Sequence, residues 1–429
     1  MQHTLEKILR FFVKRILFKY NPKVVGITGS VGKSGSKRVA THILESKYRV
    51  RGTFGNYNNE IGLPLTVIGS LHPGHSLFGW FFVFIKAFKL LILTDKKYPE
   101  ILVLEMGADK PGDIEYLTNM VHPNIGVVTA VAPTHIEFFE SLQMVIREKE
   151  KIVSCLLPNE VAILNRDEED VYKMKENTKA KIISYGFHED ADIRASDVRF
   201  ELDKNTGWPK GIAFKVSFHG NIVPVYLPGV VGEHLVYSVL SAIAVASTFG
   251  MNVVEMSEAL QKITMMQGRM RIIPGIKGTL LIDDTYNASP KAMNRALEAF
   301  AQIYVPDNAS SYAVLGDMLE LGGETKKSHQ EVGKQVADSG INYLIVVGEA
   351  MLFAKEEALA NGMNEEHIFQ FHTSADAGRF LQDRIKTGDV LLIKGSQGTR
   401  MEKIVKELMA EPQKASELLV RQNEYWLKK

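Results

Sequence analysis

Cysteine is almost absent: Cys155 stands alone in 429 residues. That excludes an intramolecular disulfide and a cysteine-based zinc cage, and it fits a reducing cytoplasm. Net charge is equally scarce, with 51 Lys and Arg against 50 Asp and Glu. A balance of +1 gives no overall field that would draw nucleic acid, and no nucleic-acid partner is expected. No small-residue cleavage site follows the apolar N-terminal stretch, so a cleaved signal peptide is not expected. Short repeats and low-complexity tracts are also missing.

What is present is ordinary globular material, 45% hydrophobic and 24% charged, in a length that suits two or three domains. Residues 4–19 carry Leu5, Ile8, Leu9, Phe12, Ile16 and Leu17 at helical spacing, interleaved with Lys7, Arg10, Lys14, Arg15 and Lys19. Such a helix either lies on an anionic membrane surface or packs on its own domain. Residues 77–93 are apolar but include Lys86 and Lys89, and the run is shorter than the about 20 residues of a spanning helix. It reads first as an interfacial or partner-docking helix, with a core helix and a short span as alternatives.

The rest alternates strand and helix signals. VVGITGSVGKS leads from a β-branched run through glycines into a helix. Ile101–Leu104, Asn124–Ala130 and Val161–Leu164 read as further strands of a parallel sheet with crossover helices. Residues 190–227 alternate like a small antiparallel patch. Beyond a hinge near 266–276 the βα alternation restarts, with strands expected at Leu280–Asp283, Ser311–Leu315, Tyr343–Val347 and Val390–Ile393. The expected fold is α/β: a central P-loop ATPase-type domain with a mostly parallel sheet, then a second Rossmann-like α/β domain. The expected boundaries are a basic amphipathic helix at 1–20, an ATP-binding domain at 21–268 with an apolar insertion at 70–98, and a C-terminal α/β domain at 269–429.

The segment Gly26–Ser34 departs from the strict G-x-x-x-x-G-K-[ST] spacing, because position 27 is Ile. Its glycines nevertheless let backbone N–H groups approach phosphate oxygens. Gly29, Ser30, Val31, Gly32 and Lys33 are therefore candidate ATP ligands, and Ser34 is a candidate Mg²⁺ ligand. Glu105 and His135 sit at strand ends, where α/β sheets bind ligands, and could supply metal positions. Lys149 by itself is an ordinary helix lysine. Asp283 and Asp284 either cap a helix or face the nucleotide. Lys394 and Arg400 flank a second glycine-bearing loop that holds an anion or simply turns the chain.

Together these pieces resemble the Mur ligases, and most closely the MurF branch, which joins D-alanyl-D-alanine to UDP-N-acetylmuramoyl-tripeptide. The matching segments, in family order, are GITGSVGKS, GNYNNEIGLPLT, LEMGADKPGDI, APTHIEFFESL, GRMR, IDDTYNASPKAM, VLGDMLELG and IKGSQGTRME. The resemblance implies an ATP-dependent amide ligase of peptidoglycan precursor synthesis, cytoplasmic and at the inner membrane surface if 4–19 and 77–93 touch lipid. It implies an acyl-phosphate route, with ATP and Mg²⁺ as cofactors. It makes Lys33, Lys149 and His135 catalytic, with Lys149 carbamylated. Ser34, Glu105, His135 and the modified Lys149 become metal ligands. Asn287, Arg269 and Asp284 join the ATP site, and Asn58, Asn59, Lys394 and Ser396 the substrate site.

Three features depart from the family. Ser34-Gly35-Ser36 replaces a Thr-initiated run, and the adenine-side H-N-x-x-N segment reads His234-Leu-Val-Tyr-Ser238. About 20 residues precede the first strand, where the branch usually carries a UDP-binding domain, so another acceptor is an open expectation. A Mur-related ligase or amidating enzyme with a different acceptor, or a non-catalytic nucleotide-binding scaffold, are the alternatives.

Overall fold

The computed structural model describes residues 2–427 except Asn56, residues 133–138 and Glu140. The expected site residue His135 therefore lies outside the described residues. The chain divides into two compact units. The first takes Met1–Asp197, Phe214–Val225 and Leu235–Ile263, and the second takes Val198–Ala213, Tyr226–His234 and Thr264–Lys429.

The first unit is organised by β1 (Lys23–Thr28), β2 (Val50–Gly52), β3 (Ile101–Glu105), β4 (Ile125–Val128), β5 (Val161–Asn165) and β6 (Lys181–Gly186). β3 and β4 are buried at every position. Continuous burial is what a parallel strand covered by helices on both faces produces, and it explains the unbroken aliphatic runs in the sequence. The strand order is β2-β3-β1-β4-β5-β6, all parallel. The order reverses at β1: the chain builds out to β3 and β2 on one side and to β4, β5 and β6 on the other. That is the switch point where an open α/β sheet opens a ligand crevice at its carboxyl ends.

The sheet continues through β7 (Ile193–Leu202), β8 (Pro209–Phe218) and β9 (Asn221–Pro228). Positive φ at both His219 and Gly220 between β8 and β9 is the two-residue hairpin turn, so these two strands run antiparallel.

The N-terminal helix α1 (Gln2–Tyr20) docks on this unit. Leu9, Val13 and Ile16 are fully buried, and Leu5, Phe12 and Leu17 pack against the same core. The apolar stripe read from the sequence is therefore used internally, apart from Ile8, which is exposed. α2 (Lys33–Glu45), α3 (Gly62–Ile68) and α4 (Leu77–Ile92) follow in the chain. The Lys19 ammonium donates to Leu90 O, Leu91 O and Leu93 O at 2.9, 3.0 and 2.8 Å. It thus satisfies the last carbonyls of α4, where a cation is also favoured by the helix dipole.

The second unit has its own sheet: β10 (Arg271–Pro274), β11 (Leu280–Asp284), β12 (Ser311–Gly316), β13 (Tyr343–Val347), β14 (Ile368–Phe371) and β15 (Val390–Lys394). The order is β10-β11-β15-β12-β13-β14, with only the β10–β11 pair antiparallel among these pairings. β11 and β15 lie side by side in register, so Asp284 and Lys394 emerge together at their carboxyl ends.

Because α1 fills the core, Leu9→Ala and Ile16→Ala should each lower the unfolding free energy by about 2–5 kcal/mol. Urea unfolding measures this, and losses below about 0.5 kcal/mol at both positions would contradict the docking.

Candidate active site

The loop after β1 can be built only with glycine at its first bend. Gly29 has φ 144°, and a Cβ there would lie 2.1 Å from Thr129 Oγ1. Gly32 enters α2 with φ 93°, another conformation that side chains disfavour. Strand β4 and the residues after it hold the loop. Ser30 N donates to Ala130 O at 2.7 Å, Ser30 Oγ to Ala132 O at 2.9 Å, and Thr129 Oγ1 to Val31 O at 2.6 Å. Lys33 Nζ folds back over the loop and donates to Gly29 O at 2.6 Å. A preformed loop with its lysine overhead at a helix N-terminus is an anion cradle.

Glu105 closes the site from β3. Its side chain is only 3% exposed, and Ser34 Oγ donates to its Oε2 at 2.9 Å. The Lys37 ammonium lies 3.0 Å from Oε2, Asn58 Nδ2 donates to Oε1 at 3.4 Å, and the Glu105 amide donates to Thr53 Oγ1 at 2.9 Å. Burial alone would raise the Glu105 carboxyl. Lys37 and Lys33, with the Lys37 and Ser34 hydrogen bonds, outweigh it and hold the group below the ordinary carboxylate value. The structure thus brings Lys33, Ser34, Asn58 and Glu105 together.

Lys37 was missed from the sequence. The available signal was its spacing: four residues after Lys33, it falls on the same face of α2 and faces the same carboxylate. Asn59 has a local task, since its Oδ1 accepts from Gly62 N at 2.9 Å and Ile61 N at 3.3 Å, at the start of α3.

Lys149 lies on α5, here the helix Leu142–Ser154, and is 3% exposed. Burial chiefly, and then the Lys33 charge, pulls its ammonium down to about 7, against the opposing pull of Glu148, Asp109 and Asp113. A lysine near neutrality is a competent nucleophile, unlike the solvated helix lysine that composition suggested. Its neighbour Glu148 accepts from Gly112 N at 2.8 Å and Ile114 N at 2.6 Å. Glu148 therefore anchors the entry to the short helix Asp113–Met120, where a carboxylate suits the exposed amides.

The two family departures meet each other. A Cβ on Gly35 would lie 2.5 Å from Ser238 Oγ, and Ser241 Oγ donates to Ser36 Oγ at 2.8 Å. Gly35 is what lets α6 (His234–Thr248) approach the first turn of α2. The small residues at 35 and 238 are a matched pair, so the helix-propensity cost of Gly35 comes with close packing.

The second unit carries a separate polar cluster. Lys394 Nζ donates to Asp284 Oδ2 at 2.6 Å and to Asn287 O at 3.0 Å, with the lysine side chain 1% exposed. Burial lowers the Lys394 ammonium, while Asp284 acts to raise it. Asp284 Oδ1 accepts from Met270 N at 3.1 Å, Ser396 Oγ donates to Ala288 O at 3.3 Å, and the Arg269 guanidinium stacks 4.3 Å from the Tyr286 ring. Asn287 Oδ1 accepts from Gln397 N at 3.3 Å. Lys394 thus ties Asp284 to the Asn287 backbone, while Ser396 is held separately by Ala288 O and Leu319 N. Asp283 turns away to its own partner, accepting from Thr285 Oγ1 at 2.6 Å, and burial pushes it up to about 6. Burial pulls His234 down to about 4, so its imidazole is neutral.

Metal chemistry can be judged by donor type. Among the described residues, no three His, Cys, Asp or Glu side chains gather as a cage. Ser34 Oγ and the ionised Glu105 carboxylate are adjacent oxygen donors, the kind that Mg²⁺ accepts while keeping several waters. The residues present fit that ion.

Known proteins resemble this chain over most of its length. Residues 85–246 match the Mur ligase middle domain, and residues 268–397 match the Mur ligase, glutamate ligase domain. The UDP-N-acetylmuramoyl-tripeptide–D-alanyl-D-alanine ligase of Bacillus subtilis (strain 168) is 27% identical over 94% of this chain and 79% of its own length. That of Mycobacterium leprae (strain TN) is 30% identical over 87% of this chain and 71% of its own. Among solved structures, the MurF ligase of Thermotoga maritima in complex with ADP superposes with a TM-score of 0.76 at 27% identity, covering 96% of this chain and 84% of that one.

The Lys149 environment has a measurable consequence. An unfolded lysine titrates near 10.4. Between about 7 and that value the unfolded chain binds a proton that the folded chain does not, so stability should rise with pH through this window. Urea midpoints of the wild type should climb from neutral to alkaline pH relative to those of Lys149→Met. Parallel curves for the two proteins would contradict the burial argument.

Proposed function

The chain belongs to the Mur ligase family, and we propose that it is an ATP-dependent ligase that adds D-alanyl-D-alanine to a muramoyl tripeptide in peptidoglycan precursor synthesis. The observation that carries this reading is the Ser34–Glu105 contact beside the Lys33 loop. It sits in a chain similar over most of its length to MurF proteins.

A carboxylate resists attack by an amine until one of its oxygens becomes a leaving group. In the proposed reaction the peptide carboxylate oxygen attacks the γ-phosphorus of ATP, and ADP leaves. The amine of D-alanyl-D-alanine then attacks the acyl carbon, forming the amide, and inorganic phosphate departs with the original carboxylate oxygen. The amine must give up a proton on the way.

Lys33 and the loop amides bind and orient the phosphates, and place positive charge where it accumulates. Ser34 and Glu105 would hold Mg²⁺, which would supply charge screening between phosphates and carboxylate. Lys149, neutral for much of the time near pH 7, is available to take up carbon dioxide as a carbamate and become a further oxygen ligand. The carry-over from the family keeps His135 as a metal ligand, and Arg269, Asn287 and Asp284 as nucleotide contacts. Asn58 and Asn59 keep their substrate assignment, with Lys394 and Ser396 on the incoming amine. The contacts of Lys394 with Asp284 and Asn287 O support that last assignment for Lys394 by fixing it beside Asp284 at two adjacent strand ends. Dependence on ATP supports a cytoplasmic site for the reaction.

Phosphate release should require ATP, UDP-N-acetylmuramoyl-tripeptide and D-alanyl-D-alanine together. Lys33→Ala should reduce it at least about a hundredfold, the scale of losing a key charge-stabilising donor. Undiminished turnover in that variant would refute the loop assignment, and release with another amine only would refute the substrate assignment.

A further inference from the structure

We propose that the outer faces of α1 and α4 form a docking surface for an anionic lipid bilayer, on which the first unit lies without crossing. The proposal does not depend on the ligase reading.

The two helices run alongside one another in the same direction. The Phe12 and Phe84 rings sit 6.0 Å apart, and further along Lys19 reaches the carbonyls of Leu90 to Leu93. Each buries one stripe in the same core: Leu9, Val13 and Ile16 from α1, and Val83, Ala87 and Leu90 from α4. Each therefore turns its other stripe away from the domain, and in both the outer stripe combines exposed cations with an apolar part. On α4 it is Phe78, Phe81, Phe82, Phe88 and Ile92, a helical i, i+3, i+4 series with Phe78 72% exposed. On α1 it is Ile8, Phe11 and Phe18, the last 88% exposed. The α4 rings already touch, Phe78 lying 6.2 Å from Phe81 and 5.4 Å from Phe82, so they present one aromatic patch. Contiguous exposed aromatic surface of this kind marks an interaction site.

Charge selects the occupant. Residues 2–20 and 77–97 hold nine Lys or Arg and two acids, Glu6 and Asp95, although the whole chain is nearly neutral. Lys7, Lys14, Arg15, Lys89, Lys96 and Lys97 are exposed around the patch. A second copy of this chain would bring the same cations against themselves in a two-fold contact. An anionic headgroup layer offers the opposite charge, and aromatic rings settle at the level of the headgroups. Among the described residues no helix is long and apolar enough to cross a membrane, so the mode is interfacial.

The test is flotation of the full chain with vesicles of phosphatidylcholine alone and of phosphatidylcholine with about 30% phosphatidylglycerol. The bound fraction should be about tenfold higher on the anionic vesicles and should fall in high salt. A triple variant, Phe78→Ser, Phe81→Ser and Phe82→Ser, should lose about tenfold in binding while keeping the wild-type thermal midpoint, because these rings are exposed. Three results would overturn the proposal: no flotation on either vesicle, equal flotation of wild type and variant, or lipid-free dimers that the triple variant abolishes.

Discussion

A carboxylate kept charged in the interior is the constraint on which the first unit depends. Glu105 ends a strand that is buried throughout, where an isolated charge would be driven to neutrality. It stays ionised because Lys37, Lys33 and Ser34 converge on it. All three lie on the first turns of α2, so the strand end and the helix start fix each other. Removing one partner from such a buried set typically costs about 3–5 kcal/mol, because the charge left behind is unpaired. The same contacts set the loop geometry: Gly29 must pass close to Thr129, and only then does α2 begin where Ser34 meets Glu105.

This arrangement explains the lysine on the neighbouring helix. Burial, with the Lys33 charge adding to it, pulls the Lys149 ammonium down to about 7. Two lysines of identical chemistry thereby sit in different surroundings, Lys33 folded over the loop and Lys149 buried on its helix. The partition comes from burial and mutual repulsion rather than from sequence context.

Much of this was legible in the sequence, for identifiable reasons. Strands buried on both faces leave unbroken aliphatic runs, so Ile101–Glu105, Tyr343–Val347 and Val390–Lys394 were visible to within a residue. The loop glycines and Ser34 were visible because phosphate binding restricts the backbone itself. The edge strand Val50–Gly52 falls within the strand that Tyr48–Thr53 suggests, whereas the edge strand Ile368–Phe371 is only partly buried and leaves a weaker signal. Periodicity also could not say which surface α1 faces, since Leu9 and Ile16 would look the same against lipid or against the core. Nor could it reveal that Gly35 and Ser238 answer each other, because that pair is 203 positions apart and meets only in the fold. The last stretch of the second unit begins at Thr264, near the expected hinge at 266–276, but the segments Val198–Ala213 and Tyr226–His234 also belong to that unit. No pattern in a single segment could show that discontinuity.

The central claim is that this site activates a carboxylate as an acyl phosphate. The direct measurement is oxygen transfer. The peptide substrate is labelled with ¹⁸O in its reacting carboxylate, turned over with ATP and the amine, and the released phosphate is analysed by mass spectrometry. One labelled oxygen is expected in each phosphate formed, with ADP as the nucleotide product. Unlabelled phosphate, or label appearing in AMP, would contradict it.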